Sequence, residues 1–154
     1  MTKYIKTGTT EFEQFDETEW NRIYQDFDDP DKWEAKASEL GIDRYHGYFV
    51  IPTKDGDMRI HDGDWIATGV DGEHWPVKDE IFKKTYKKLP KLTRPVSRYL
   101  EYCKEHGDLN DAFLNVEYLV SDKDAPEVFK YLSSHPDDFA RAWLDGYEVA
   151  EVDE

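Results

Sequence analysis

The sequence predicts an α+β fold: a small antiparallel meander with short helices, followed by a small, acidic, all-helical module. Short alternating apolar segments fill residues 56–86 and are separated by Asp-Gly pairs, which favour tight turns. Apolar residues recur at helical spacing over residues 96–145. Aromatic residues make up 15% of the chain, so a core is expected although 36% of the residues are charged.

The first forty residues predict one strand and two short helices. An opening strand is expected over Lys3–Phe15, and Asp16 or Thr18 is expected to cap the helix that follows. The apolar face of that helix is predicted to comprise Trp20, Ile23, Tyr24 and Phe27. A second helix is predicted over Asp31–Leu40.

The segment after these helices predicts the sheet. The near-continuous apolar run Tyr48–Pro52 indicates a central strand. Residues 56–77 then predict a meander of three short strands, with turns at Asp55-Gly56, Asp62-Gly63 and Asp71-Gly72. A helical turn is expected over Lys78–Thr85.

Two prolines in a basic stretch, Pro90 and Pro95, suggest a linker. We therefore predict an α+β module over 1–89, a linker over 90–95 and a helical module over 96–154. The charge distribution changes at the same place: the net charge is −5 over residues 1–94 and −10 over residues 95–154.

Four helices are predicted in the second half, beginning near Val96, Leu109, Pro126 and Pro136. In the third of these helices, Phe129 is expected to face inward with its apolar neighbours. The last residues, Glu148–Glu154, alternate weakly and are expected to fray.

The cysteine count, the lack of long apolar runs and the net charge argue against several classes of protein. Cys103 is the single cysteine, so neither an intrachain disulfide nor a cysteine-based metal site is expected, and we predict a core position for it. The sequence has no apolar run of about 18 residues and no apolar segment typical of a signal peptide at its start, which favours a cytoplasmic protein without a membrane partner. A net charge of −15 opposes binding to nucleic acids and favours basic partners, although solubility alone also explains it.

Residues that could carry catalysis form no recognisable catalytic motif. The chain has no Walker loop, no Gly-x-Gly-x-x-Gly, no Gly-x-Ser-x-Gly and no His-Glu-x-x-His motif. The histidines that could bind a metal or act as bases, but are also compatible with exposed loops, are His46, His61, His74, His106 and His135. The carboxylates that could hold a divalent ion, but are also typical of solvated turns, are Asp55, Asp57, Asp62, Asp64, Asp71 and Glu73. We expect no cofactor, no metal and no enzymatic activity, with a metal-dependent enzyme as an alternative.

Two segments resemble bacteriophage proteins. The run Gly63-Asp64-Trp65-Ile66, together with Trp75-Pro76, Ile81-Phe82 and Thr85-Tyr86, resembles a small uncharacterised protein family of phages and prophages. The run 139–149, FARAWLDGYEV, resembles a domain of unknown function from phages of Gram-positive bacteria. This resemblance implies a phage accessory protein but implies no catalytic residue.

Two charged stretches remain as candidate binding sites. The predicted partner-binding residues are Glu13, Asp16, Glu17, Glu19, Asp26, Asp28, Asp29 and Asp31. Such carboxylates could imitate phosphates in a basic groove, or could form a solvated helix face. The basic residues Lys83, Lys84, Lys87, Lys88, Lys91 and Arg94 could touch nucleic acid or, as we prefer, dock against the acidic helices of this chain or against a second subunit.

These observations lead to three hypotheses. The first is a phage protein, acting in the host cytoplasm, that binds and inhibits a basic host defence protein such as a CRISPR effector or restriction nuclease. The second is a non-catalytic binding or assembly module in phage replication or morphogenesis, with a possible homodimer. The third is the metal-dependent enzyme.

Overall fold

The computed structural model describes residues 1–151 and confirms the α+β prediction. The chain divides into unit 1, Met1–Lys87, and unit 2, Lys88–Glu154. The helices of unit 1 are α1 (Glu17–Tyr24), α2 (Pro30–Leu40) and α3 (Asp79–Thr85). Its strands are β1 (Glu11–Gln14), β2 (Asp43–Tyr45), β3 (Tyr48–Thr53), β4 (Gly56–Arg59), β5 (Trp65–Thr68) and β6 (His74–Val77).

Unit 1 contains two three-stranded antiparallel sheets, with strand orders β1-β5-β6 and β2-β3-β4. The three strands predicted over residues 56–77 are present, but β4 pairs with β3 rather than with β5. The turn around Gly63 has another role, because the Gly63 N–H donates to the carbonyl oxygen of Phe15 at 2.9 Å. The carboxylate of Asp62 accepts a bond from the Glu17 N–H at 2.9 Å. This turn therefore binds the chain segment that enters α1 instead of closing a hairpin.

Strand β2 was not predicted from the sequence. It forms a hairpin with β3 through the two-residue turn His46-Gly47, in which both residues have positive φ angles, 49° and 84°. Two such residues define a type I′ turn, which Asn-Gly or Asp-Gly usually supplies. Histidine is tolerated in this conformation but signals it weakly.

An aromatic cluster forms the centre of the core of unit 1. The rings of Phe15 and Trp20 lie 5.9 Å apart, and the Phe49 ring lies 5.4 Å from Phe15. Trp33 of α2 adds a T-shaped contact with Trp20 at 6.0 Å. The isoleucines of the strands, including Ile51, complete the cluster. Each buried aromatic side chain removes about 150–250 Å² from water, so this cluster anchors α1 and α2 on the sheets.

Two details of the predicted N-terminal elements are wrong. The opening strand occupies only Glu11–Gln14 of the predicted Lys3–Phe15. Helix α1 begins after Asp16, which caps it as expected, but it ends at Tyr24, so Phe27 lies beyond the helix and is exposed. The turn that ends α1 is held by local hydrogen bonds and not by burial of Phe27.

Unit 2 is mainly helical. Its helices are α4 (Arg94–His106), α5 (Leu109–Leu114), α6 (Val116–Leu119), α7 (Ala125–Ser134) and α8 (Pro136–Asp145). Two short strands, β7 (Lys91–Leu92) and β8 (Glu148–Val149), pair in parallel. Residues 90–95, suggested as a linker, thus contribute β7 and the start of α4, and residues 148–149, expected to fray, form β8. Residues 152–154 of that predicted tail lie outside the described residues.

The core of unit 2 surrounds Phe139 of α8, whose ring lies 6.0 Å from Tyr99 and 5.5 Å from Phe113. Cys103 is buried in this core, as predicted. The predicted helix after Leu109 is divided into α5 and α6 at Asn115. The inward position predicted for Phe129 is wrong, because its side chain is 45% exposed. The core face of α7 is formed by Val128 and Leu132, the other two residues predicted to face inward.

Candidate partner-binding surface

The connection between α1 and α2 is the most prominent acidic feature of unit 1. We call residues 25–29 the junction loop. Its backbone folds on itself, because the Asp29 N–H donates to the Asp26 carbonyl at 3.3 Å and the Asp28 N–H donates to the Asp26 carboxylate at 3.2 Å. Pro30 then begins α2 at a position where its missing N–H has no cost. The loop is short and held by its own hydrogen bonds.

Phe27 projects from this loop, with a side chain that is 88% exposed. Asp26, Asp28 and Asp29 surround it in sequence, and Asp31 follows in the first turn of α2. Among the described residues 1–151, none of these four carboxylates forms an ion pair. An exposed aromatic ring beside free carboxylates can supply both an apolar anchor and a negative field to a partner.

Arg44 of β2 positions the end of α1 just before the junction loop. Its guanidinium lies between two rings, 4.4 Å from the centroid of Tyr24 and 4.8 Å from that of Phe49. It also donates to Asn21 Oδ1 of α1 at 2.6 Å. Arg44 is not among the residues predicted for this surface. Its partners come from α1 and β3, and the sequence around residue 44 does not indicate these contacts.

The other four predicted partner-binding residues lie before the junction loop, in β1 and in or next to α1. Asp16 caps α1 by accepting from the Glu19 N–H at 3.2 Å. The Glu19 carboxylate receives two hydrogen bonds from Arg22, at 2.6 and 2.9 Å, and these bonds lower the pKa of Glu19. Glu13 pairs with Lys36 of α2 at 3.6 Å. Glu17, in the first turn of α1, is partly buried.

The predicted acidic surface therefore divides into two parts. Around Glu19 the fold brings the positive charges of Lys32 and Lys36 close enough to favour its ionised form, in addition to Arg22. Lys36 also lies over the Trp20 ring, 4.7 Å from its centroid. Glu13 and Glu19 are thus partly neutralised by cations, and Asp26 lies close enough to Arg22 to help raise the pKa of that guanidinium, whereas Asp28, Asp29 and Asp31 form no ion pair within residues 1–151. We take the junction loop with Asp31 as the candidate surface.

The basic stretch is partly neutralised by nearby acids. Lys83 pairs with Asp79 at 2.6 Å, and Lys84 pairs with Glu80 at 3.9 Å, both within α3. The pKa of Asp79 is lowered by the hydrogen bond from Lys83 and by one from the Trp65 indole. These acids belong to α3 itself and not to the acidic helices that the sequence suggested.

Three of the carboxylates near the Asp-Gly turns accept backbone hydrogen bonds. Asp62 accepts from the backbone of Glu17, and Glu73 accepts from the Asp71 N–H at 3.0 Å. Asp64 accepts from the His61 N–H at 2.9 Å. Within residues 1–151, no group of three or more His, Cys, Asp or Glu side chains is arranged to hold a metal ion.

Unit 2 has a surface groove of about 560 Å³ beside α4, lined by Arg98, Tyr102, Tyr118 and Asp124 among others. Two of its charged groups bind each other, because Arg98 donates to both carboxylate oxygens of Asp124 at 2.8 and 3.1 Å. This pairing lowers the pKa of Asp124. A ligand in this groove would therefore meet an Arg98 and an Asp124 that already bind each other.

Comparisons with known proteins identify no family for this chain. No family model, no curated protein and no solved structure matches it. None of the helices within residues 1–151 has the length and apolar character needed to cross a bilayer.

Proposed function

We propose that this chain is a non-enzymatic accessory protein of phage origin that binds and inhibits a host nucleic-acid-handling defence protein in the bacterial cytoplasm. The observation that carries the proposal is the junction loop, in which Phe27 stands exposed beside the free carboxylates of Asp28 and Asp29. The resemblance of residues 56–86 and 139–149 to phage proteins supports the phage assignment.

A basic nucleic-acid groove is the partner that this surface fits best. Carboxylates spaced along a surface offer the negative charge that such a groove binds in phosphates. The net charge of −15 attracts a basic partner over a distance and raises the association rate at low salt. Phe27 would then supply an apolar anchor, since aromatic residues dominate the binding energy of many interfaces. The chain would compete with nucleic acid for the same groove.

The test is a restriction experiment in living cells. A bacterial host carrying a CRISPR effector or a restriction nuclease is challenged with a phage that this system restricts, with and without the chain. We expect the chain to raise plating efficiency, and we expect Asp28→Lys/Asp29→Lys/Asp31→Lys to abolish this protection. A purified nuclease should release the chain when duplex DNA is added.

The matched control is Asp55→Lys/Asp71→Lys/Asp122→Lys, which changes the net charge equally at exposed turn positions elsewhere. This control should retain protection. Equal loss in both variants would assign the effect to net charge alone. Full protection by the junction variant, or no protection by the wild-type chain in any tested system, would contradict the proposal.

A second function, a non-catalytic assembly module in phage replication or morphogenesis, is favoured by a different observation. Unit 2 exposes several large apolar side chains, and among them Leu114, Tyr118 and Leu144 are at least 70% exposed. Exposed apolar residues can mark an interface between proteins. If unit 2 mediates assembly, replacing these three residues with serine should abolish a dimer that the wild-type chain forms. An unchanged dimer would exclude this surface.

A further inference from the structure

A groove in unit 1 is not used by the proposed function. It measures about 490 Å³ and lies between β4, β6 and α3. Met58, Trp75 and Ile81 contribute apolar walls, and Met58 and Ile81 are each nearly half exposed. We propose that this groove binds the junction loop of a second copy of the chain, with Phe27 seated among the apolar side chains.

The charge of the groove supports an acidic occupant. Arg59 and Lys78 line it, and neither forms an ion pair with a carboxylate within residues 1–151. Arg59 is held over the Tyr48 ring, with its guanidinium carbon 4.6 Å from the centroid. Asp64 also lines the groove, but its carboxylate accepts a bond from the His61 backbone. The groove thus offers two unpaired cations in a chain whose net charge is −15.

The junction loop matches this groove in chemistry. It presents one fully projecting aromatic ring, Phe27, and carboxylates on both sides of it in Asp26 and Asp28. A phenylalanine removed from water buries about 150–250 Å², which an apolar groove of this size accommodates. Carboxylates beside the ring would meet Arg59 and Lys78, so apolar and charged contacts would form together.

Different elements of unit 1 form the loop and the groove, so the contact joins unlike surfaces of two copies. Such heterologous contacts either close into rings or continue as open chains. Repulsion between two acidic copies opposes the contact, but salt near 0.15 M screens exposed charges beyond about 8 Å. The inference does not depend on the host partner proposed above, although a partner bound to the junction loop would exclude the second copy.

The experiment measures the mass of the purified full-length chain by analytical ultracentrifugation over a wide concentration range at physiological salt. We expect reversible self-association, with at least about tenfold weaker association in Phe27→Ala because an aromatic anchor is lost. Arg59→Glu/Lys78→Glu should weaken association to a similar extent. Tyr4→Ala and Lys54→Glu/Lys130→Glu, at exposed positions outside both proposed surfaces, are controls matched in side-chain type and charge, and they should associate as the wild-type chain does.

Mixing the two defective variants is the decisive step. Phe27→Ala keeps an intact groove, and Arg59→Glu/Lys78→Glu keeps an intact loop, so the mixture should form 1:1 heterodimers at concentrations at which each variant alone is mainly monomeric. A wild-type chain that stays monomeric up to about 1 mM would overturn the proposal, since a specific contact is populated at that concentration. Self-association that both defective variants retain, or a mixture that stays monomeric, would also overturn it.

Discussion

Arg44 provides the sharpest test of how unit 1 holds the junction loop. We expect Arg44→Met to lower the free energy of unfolding of unit 1 by about 2 kcal/mol. Two ring contacts of a partly exposed guanidinium contribute about 0.5–1 kcal/mol each, and a hydrogen bond from a charged donor contributes about 1.5–3 kcal/mol. Ordering the long arginine side chain offsets up to about 2 kcal/mol of this stabilisation.

The measurement is urea unfolding followed by tryptophan fluorescence. Unit 1 contains four of the five tryptophans, and Trp33 lies 4.9 Å from Tyr24, one of the two rings that Arg44 contacts. Arg59→Met is the control, because the Arg59 guanidinium lies over one ring, that of Tyr48, and forms no ion pair within residues 1–151, so its loss should cost below about 1 kcal/mol. If Arg44→Met matches wild type within about 0.5 kcal/mol, the rings and the Asn21 bond do not stabilise this region as argued.

Three further predictions concern the backbone at Gly41, the core of unit 2 and the dependence of stability on pH. Gly41→Ala should destabilise unit 1 by about 2 kcal/mol in urea unfolding, since φ is +64° and the new Cβ would lie 2.8 Å from the His74 ring. Phe139→Ala should destabilise unit 2 by about 3–5 kcal/mol in unfolding followed by circular dichroism, because its side chain is fully buried. Burial raises the pKa of Tyr99, so its contribution to stability is complete below about pH 10 and is lost as the pH rises further. Tyr99→Phe should therefore unfold with a flatter alkaline pH dependence, while losing about 1–2 kcal/mol at neutral pH with the bond to the Ala112 carbonyl.

Each of these predictions has a control. Gly47 has a φ of +84° but no atom within 4 Å of a new Cβ, so Gly47→Ala should cost about 1 kcal/mol and clearly less than the change at Gly41. Phe129→Ala, at an exposed site, should have a small effect beside Phe139→Ala. An alkaline profile of Tyr99→Phe that parallels wild type would assign the pH dependence to other groups, with Tyr147 foremost since burial raises its pKa to about 12.

Helix positions could be predicted from the sequence because their signals are local. The cap at Asp16, the prolines at 126 and 136 and the apolar spacing of α4 all act within a few residues. Strand pairing could not be predicted in the same way. Whether β4 pairs with β3 or β5 depends on the bonds between the Gly63 turn and Phe15, which are distant in sequence.

The candidate surface shows the same limit. Its carboxylates are visible in the sequence, and the run 26–30, DFDDP, indicates a turn. The neutralising contact between Glu13 and Lys36 is tertiary and could not be anticipated. Nor could the exposure of Phe27, since its spacing from Trp20 is also that of a buried helix face. The sequence thus identifies which charges are present, and the fold decides which of them remain free.

Because Cys103 is buried in unit 2, its thiol can report on the opening of that unit. The thiol is 1% exposed, and burial raises its pKa, so a thiol-specific reagent has access only when this core opens. The labelling rate of the native protein therefore measures the opening free energy of unit 2, while fluorescence is dominated by the four tryptophans of unit 1. One unmodified protein sample can thus show whether its two units unfold together or one after the other.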